Sequence, residues 1–386
     1  MSRYLAILGR QPEISIAELE AFYGLGWQQL SSSGCVASAR RHGRGALILG
    51  LPASGGPSKD NCLPPDIKRF GGVLKIAVEL VEKPRDYLQG MPEGKVTIGV
   101  SDYSKGATRR SAQAEALKLK KILVRHGRSV RVVENKDVVL STATSLHNGL
   151  SGKNPRKVEL IKTDEGWYRV IGVQDIDAYA KRDQARPARD AKVGMLPPKL
   201  AQILINLCGL LKPGSGVLDP FCGTGVVLQE AILMGYKAYG TDISERMIEY
   251  SEKNLKHFDF KGYKLEVGDA TSFRWTQPID AVACEGYLGK PFSRIPMEME
   301  LKEQMQECQA IAIGFLKNLV GQVKKGTPVV IAVPAWLRET GEYERMDIVD
   351  EIENMGYNVN NKSREGLLYH RDEQVVARDI IILRKK

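Results

Sequence analysis

The chain of 386 residues has only six cysteines, at 35, 62, 208, 222, 284 and 308, and no two of them form a CxxC pair. No pair of histidines stands at zinc-ligand spacing either. These two absences argue against a structural zinc site, any other bound metal and a disulfide scaffold, and they fit a reducing cytoplasm. Also missing is any run of about 18 apolar residues, so no membrane-spanning helix is expected. The opening residues MSRYLAILGRQPEISIAELE contain a short apolar run without a long hydrophobic core or a small-residue cleavage site, which argues against a signal peptide. No internal repeat is visible, and no GxxxxGK[ST] loop occurs.

What is present is an ordinary globular composition, 43% hydrophobic and 26% charged, long enough for two or three domains. The net charge of +10 is unevenly placed: residues 101–200 hold 21 Lys and Arg against 11 Asp and Glu, whereas residues 201–386 hold 23 against 26. Basic clustering of this kind suits a polyanionic partner, because each phosphate contact releases counterions. A solvated basic face is the plainer reading.

Residues 1–174 read as a mixed α+β region without a parallel-sheet rhythm. YLAILGR is an expected strand and PEISIAELEAFYG a helix, while residues 31–66 are broken up by Ser, Gly and Pro. KVTIGVS is a strand, followed by a helix in TRRSAQAEALKLKKILVRHG whose Ala112, Ala116, Leu119 and Leu123 recur at helical spacing. Lys118, Lys121 and Arg125 line another side of it, Gly127 is placed to stop it, and Arg128 and Arg131 follow in the next segment, so these five are the candidate RNA-binding residues. A second helix near 141–150 and strands VELIKT and WYRVIGVQDI complete the unit.

Residues 175–194 are dense in charge and read as a linker or a strap, with Arg182, Arg186 and Arg189 interleaved with Asp183 and Asp190. Salt bridges and nucleic-acid contact are both open to those arginines. From 195 to 386 strands and helices alternate strictly: strand GVLD, helix VVLQEAILMG, strand KAYGTD, helix RMIEYSEKNL, strands YKLEVGD and IDAVAC, a long helix from about 298 to 324, strand PVVIAV, helix YERMDIVDEIENMG, and strands YNVNNKS and VVARDIIIL. That rhythm predicts a doubly wound α/β sheet with an antiparallel edge, whose ligands bind at the carboxyl ends of the strands.

Three acids stand at such ends. Asp219 closes GVLD and opens the turn DPFCGTG, which departs from the GxGxxG spacing of a pyrophosphate cradle, and an acid there would repel phosphate. A cationic cofactor, S-adenosylmethionine, suits it better. Gly223 and Gly225 let the backbone approach its amino-acid half, Asp242 is placed for ribose hydroxyls, and Asp269 can accept from the adenine amine. Pro197, Phe221, Cys222, Ile243 and Ala270, in the same motifs, are the remaining candidate cofactor contacts. Three helix-capping acids would be the structural alternative. Cys222 has no readable catalytic partner.

The order MLPPKLAQ, DPFCGTG, GTD, GDA and a strand with a polar-aromatic tip resembles the amino-directed methyltransferases of nucleic acid. More narrowly, AYAKRDQARPARDAKVGMLPPKLAQILINL joined to LDPFCGTG looks like the THUMP-containing tRNA guanine-N2 methyltransferases that act on guanosine 10. The resemblance implies a Rossmann-like class I methyltransferase domain with a seven-stranded sheet, preceded by an α+β region containing a THUMP-like domain that holds tRNA. It leaves open an activating protein subunit. Relatives carry an Asp or Asn, two prolines and an aromatic after the fourth strand; this chain has Glu285, Gly286 and Tyr287 instead.

Those three are the expected catalytic residues. An exocyclic amine has a delocalised lone pair, so a site must orient it and accept its N–H bonds; Glu285 and the Gly286 carbonyl can accept, and Tyr287 can stack on an extruded base. A simple turn on a protein that binds RNA without turnover, and an amino-directed DNA methyltransferase, are the alternatives. Trp336, after the fifth strand, reads as core rather than as a wall of the base pocket, and Tyr369, His370 and Arg371 read as surface.

Overall fold

The computed structural model describes residues 2–23, 36–37, 46–51, 66–189, 196–361, 366–371 and 374–386. Cys35, Cys62, Asp190 and most of the Ser/Gly/Pro-rich stretch lie outside them. The chain divides into two compact units, Met1–Ile16 with Leu25–Ala178, and Ala17–Gly24 with Tyr179–Lys386. No helix among the described residues is long and apolar enough to cross a membrane.

The first unit is built on eight strands, with helices between them: β1 (Ser2–Leu8), α1 (Pro12–Tyr23), β2 (Val36–Ala37), β3 (Ala46–Leu51), β4 (Val73–Glu79), α2 (Pro84–Gln89), β5 (Val96–Asp102), α3 (Arg109–Arg125), β6 (Val130–Val132), α4 (Thr142–His147), β7 (Lys157–Thr163) and β8 (Gly166–Val173). The second half of α1 groups with the other unit. The sheet order is β2-β3-β1-β4-β8-β7-β5-β6. β5 runs parallel to both β6 and β7, which corrects the expectation of no parallel rhythm. The reason is α3, a crossover helix of the kind that parallel neighbours require.

Thr108 caps α3 through a reciprocal pair with Ser111, its hydroxyl accepting from the Ser111 N–H at 3.1 Å, and Gly127 ends the helix at φ +78°. Ala112, Ala116, Leu119 and Leu123 are buried, the last three against Val96, Ile98 and Val100 of β5. Each such leucine contributes about 1.5–3 kcal/mol by leaving water. Beneath the sheet Lys75 of β4 meets Glu159 of β7 at 2.7 Å, and Ser101 and Ser145 each donate to that carboxylate at 2.6 Å. A buried charge pair is tolerated only with such extra bonds.

The second unit takes up the chain within α5 (Ile176–Gln184), at Tyr179, and continues with α6 (Pro198–Leu207), β9 (Gly216–Asp219), α7 (Val226–Leu233), β10 (Lys237–Asp242), α8 (Glu245–His257), β11 (Tyr263–Val267), β12 (Ala281–Glu285), α9 (Glu298–Leu319), β13 (Pro328–Leu337), β14 (Tyr343–Arg345), α10 (Val349–Asn354), β15 (Tyr357–Val359), β16 (Leu368–Tyr369) and β17 (Val376–Lys385). The main path of the sheet is β11-β10-β9-β12-β13-β17-β15, with β14 on β13 and β16 on β17. Seven strands lie on this path, as expected, and two short ones are added. The first five are parallel, and β17 is inserted antiparallel between β13 and β15.

YER, read as the start of a helix, is instead β14: it pairs Tyr343 to Leu337 and Arg345 to Ala335, and leaves only Val349–Asn354 helical. The aromatic at its head suits a strand, and pairing overrides local propensity. Trp336 is fully buried, as expected of a core residue. In the charged stretch, the Arg182 guanidinium donates twice to Glu230, at 2.8 and 3.1 Å, and Arg186 donates to Asp183 and Thr224. Those two arginines are spent on salt bridges and loop bracing.

Candidate functional site

Four acids come together because the chain crosses the sheet edge four times in the same direction. β9, β10, β11 and β12 are parallel, so Asp219, Asp242, Asp269 and Glu285 all lie at their carboxyl ends and line one cavity of about 780 Å³. Phe221, Cys222, Gly223, Ile243, Ala270, Gly286 and Tyr287 line it too. Of the expected contacts, Pro197 and Gly225 do not. Pro197 is the residue before α6, and its neighbour Leu196 reaches the cavity in its place.

The turn after β9 is tightly wired. Asp219 is buried and accepts from the Phe221 N–H at 3.1 Å; Asp242 accepts from the Gly223 N–H and the Ser244 N–H, both at 2.9 Å. Ser251 of α8, which sequence reasoning missed, donates to the Gly223 carbonyl at 2.8 Å. Gly225 has φ +83° and a Cβ there would meet the Ser251 hydroxyl at 3.0 Å, so it shapes the turn from behind. Gly223, at φ +49°, faces open space: the nearest atom to a Cβ is a carbonyl at 3.9 Å.

Asp269 accepts from the Thr271 N–H at 2.9 Å and the Thr271 hydroxyl at 2.7 Å through one oxygen. Ile243 is 73% exposed at the cavity rim, an unusual position for that side chain.

The electrostatics choose between the readings of this turn. Burial pushes the Asp219 carboxyl well above the usual range, and the charges of Asp242 and Glu285 raise it further, against the Phe221 N–H. Burial likewise raises Asp242. A ligand bearing phosphate would worsen that repulsion, whereas one bearing an ammonium or sulfonium group relieves it. The donor set therefore fits S-adenosylmethionine. Cys222 is a buried thiol whose ionisation is pushed well up by burial and by Asp219, which disfavours thiolate chemistry there.

At the tip of β12 the arrangement differs. Glu285 accepts from the Nε of Arg378, a nearly buried residue of β17 that was not readable beforehand. Its other oxygen has no partner among the described residues. The Gly286 N–H donates to the Ala332 carbonyl at 2.9 Å, and its own carbonyl accepts from no described residue. Tyr287 is half-buried against the core cluster of this unit, and burial first, then Glu307, push its phenol up.

The basic residues divide. Lys118, Lys121 and Arg125 are exposed on α3. Arg128 is committed elsewhere: its guanidinium donates to the carbonyls of Met91 at 3.0 Å and Pro92 at 2.7 Å. Arg131 donates to Asn148 at 3.0 Å but also joins Lys95, Arg109 and Lys120 around a cleft of about 570 Å³ between α3 and β6. Helical spacing puts Arg109 and Lys120 on that side of α3, three turns apart; their convergence with Lys95 depends on the parallel pairing of β5 and β6.

Residues 211–335 match a family described as a methyltransferase domain. That match and the strand path make the second unit a class I, S-adenosylmethionine-dependent methyltransferase fold. Residues 152–253 also match a family described as DNA methylase. Among curated proteins, the chain is 31% identical over 157 residues to a tRNA (guanine(10)-N2)-dimethyltransferase of Methanothermobacter thermautotrophicus, covering 40% of this chain and 44% of that protein. It is 39% identical over 126 residues to the protein of the same name from Pyrococcus abyssi, covering 31% of this chain and 37% of that one. The chain thus spans less than half the length of these relatives in alignment. A crystal structure of TrmN from Thermus thermophilus aligns over 100% of both chains at 16% identity with a TM-score of 0.46.

Proposed function

We propose that the protein transfers a methyl group from S-adenosylmethionine to the exocyclic N2 amine of a guanosine in tRNA. The observation that carries this reading is the tip of β12, where Glu285 and Gly286 line an acid-lined cavity and a carboxylate oxygen of the one and the carbonyl of the other have no partner among the described residues. An amine with two N–H bonds presents two donors, and two acceptors fix the direction of its lone pair.

S-adenosylmethionine supplies an electrophilic methyl. Asp219 and Asp242 favour its positive charge, Asp269 is placed for the adenine amine, and exposed Ile243 offers an apolar face to the ring. Arg378 holds Glu285 in place, and Glu285 is the carboxylate that takes the proton the amine loses in this reading. Tyr287 offers its ring to a base lifted from its stack.

The first unit is the tRNA-holding part in this reading, a THUMP-like module. Its cleft gathers Lys95, Arg109, Lys120 and Arg131 against one acid, Glu134, which meets Arg109 at 3.4 Å. Phosphate contact needs this kind of clustering. The two relatives are named for the same reaction on guanosine 10, over the segment that they share with this chain.

The second reading, amino methylation of DNA, is favoured by the DNA methylase match at 152–253. Incubation with labelled S-adenosylmethionine separates the two: label should enter unmodified tRNA and not duplex DNA. Label in DNA alone would replace this proposal with its rival.

A further inference from the structure

β13 pairs with β17 from Pro328 to Trp336 but with β12 only from Val329 to Ala332, and its seventh residue, Pro334, stands two positions past the last β12 pair. Proline cannot donate to a ladder and is normally confined to edge strands and bulges. The residue is buried, and no register shift accompanies it.

The parallel register shows which bond is lost. Cys284 faces Ile331 and Glu285 faces Ala332, and the Gly286 N–H donates to the Ala332 carbonyl at 2.9 Å. In a parallel ladder, a residue that donates to position j−1 accepts from position j+1. For Gly286 these positions are 332 and 334. The donor that would close the Gly286 carbonyl is therefore the N–H that proline lacks.

Resting on the reaction proposed above, we infer that Pro334 is a positioning residue: by withholding a ladder hydrogen bond it keeps the Gly286 carbonyl free to accept an N–H of the substrate amine. Gly286 is buried, so an unpaired acceptor there is costly until something fills it. Gly286 lines the same cavity as Glu285, and Arg378, which bonds Glu285, is the residue directly opposite Pro334 on β17. Three adjacent strands thus hold both acceptors.

Pro334→Ala restores an N–H at this position, so the new amide should be protected from hydrogen exchange. Single-turnover methylation of tRNA should fall about tenfold or more, the worth of one well-placed hydrogen bond. Affinity for S-adenosylmethionine and the KM for tRNA should stay at wild-type values. Replacing Pro334 by the α-hydroxy analogue of alanine, which has the small side chain but an ester in place of the N–H, should keep the wild-type rate.

Two results would overturn the inference alone: wild-type turnover in Pro334→Ala, or equal losses in both replacements, which would make the ring a packing element. A wild-type protein that methylates no tRNA would instead remove the proposed reaction, and this inference with it.

Discussion

The turns after β9 and β12 stand side by side at one sheet edge and are built on opposite rules. After β9, both Asp242 oxygens already accept backbone N–H groups, Asp219 accepts one, and Ser251 pins the Gly223 carbonyl. After β12, one Glu285 oxygen and the Gly286 carbonyl have no partner among the described residues. The first turn is preorganised, with its acids held in place before a ligand arrives. In the second, the reaction proposed here lets the substrate amine donate to both acceptors. A preformed cofactor pocket beside an unfinished acceptor site is what a two-substrate transfer enzyme needs.

The largest effect should come from the unfinished turn. Glu285→Ala removes an acceptor and leaves the nearly buried Arg378 without its partner; single-turnover methylation should fall by roughly 10²-fold or more, with tRNA affinity little changed. Glu285→Gln, which keeps an acceptor oxygen, should lose less. A rate that survives Glu285→Ala would reduce this stretch to a turn.

The wired turn should respond in binding instead. Asp242→Ala removes the proposed ribose acceptor and two braces of the loop, so calorimetry should show affinity for S-adenosylmethionine weakened tenfold or more, at about 1.5–3 kcal/mol for a charge-assisted bond. Unchanged affinity would take Asp242 out of the site.

A smaller, pH-dependent effect follows from Asp219. Its carboxyl is held well above the usual range by burial, with Asp242 and Glu285 adding to the shift. A cationic ligand prefers the ionised form, so affinity should weaken as pH falls through that raised value, above the region near 3.9 where an ordinary Asp titrates. The sign for folding is opposite: an acid with a raised folded pKa loses stability as pH rises from its unfolded value through its folded one. Asp219→Asn should therefore bind S-adenosylmethionine weakly and with less of this pH dependence, the remainder coming from Asp242, which burial also raises, yet resist urea better than wild type at neutral pH. A variant that is weaker in both respects would contradict the assignment.

Changes in the first unit should leave both turns unaltered. Reversing Lys95, Lys120 and Arg131 should lower the salt slope of tRNA binding by about one unit per lost phosphate contact. The triple reversal of Lys118, Lys121 and Arg125 is the comparison, and the larger change identifies the side of α3 that meets RNA.

Most of the second unit was legible because strand ends and acids coincide in the sequence: GVLD and KAYGTD match β9 and β10, and their final aspartates line the cavity. Arg378 was not, since its partner lies 93 residues away and only the insertion of β17 beside β13 brings the two together. Pro334 is not legible in the sequence for a related reason, because its meaning lies in the register with β12. In the first unit the buried face of α3 was readable from spacing, whereas the roles of Arg128 and Lys95 were not. One bonds backbone carbonyls of the α2–β5 connection and the other joins a cleft, and both facts depend on tertiary placement.

The central claim is that an amine on a tRNA guanosine receives the methyl group. Its most direct test is mass spectrometry of nucleosides from unmodified tRNA incubated with the protein and S-adenosylmethionine. Guanosine methylated at N2 is expected, formed roughly 10²-fold more slowly when Glu285→Ala replaces the wild type. A methyl group on a ring nitrogen, on a ribose or on no nucleoside at all would contradict it.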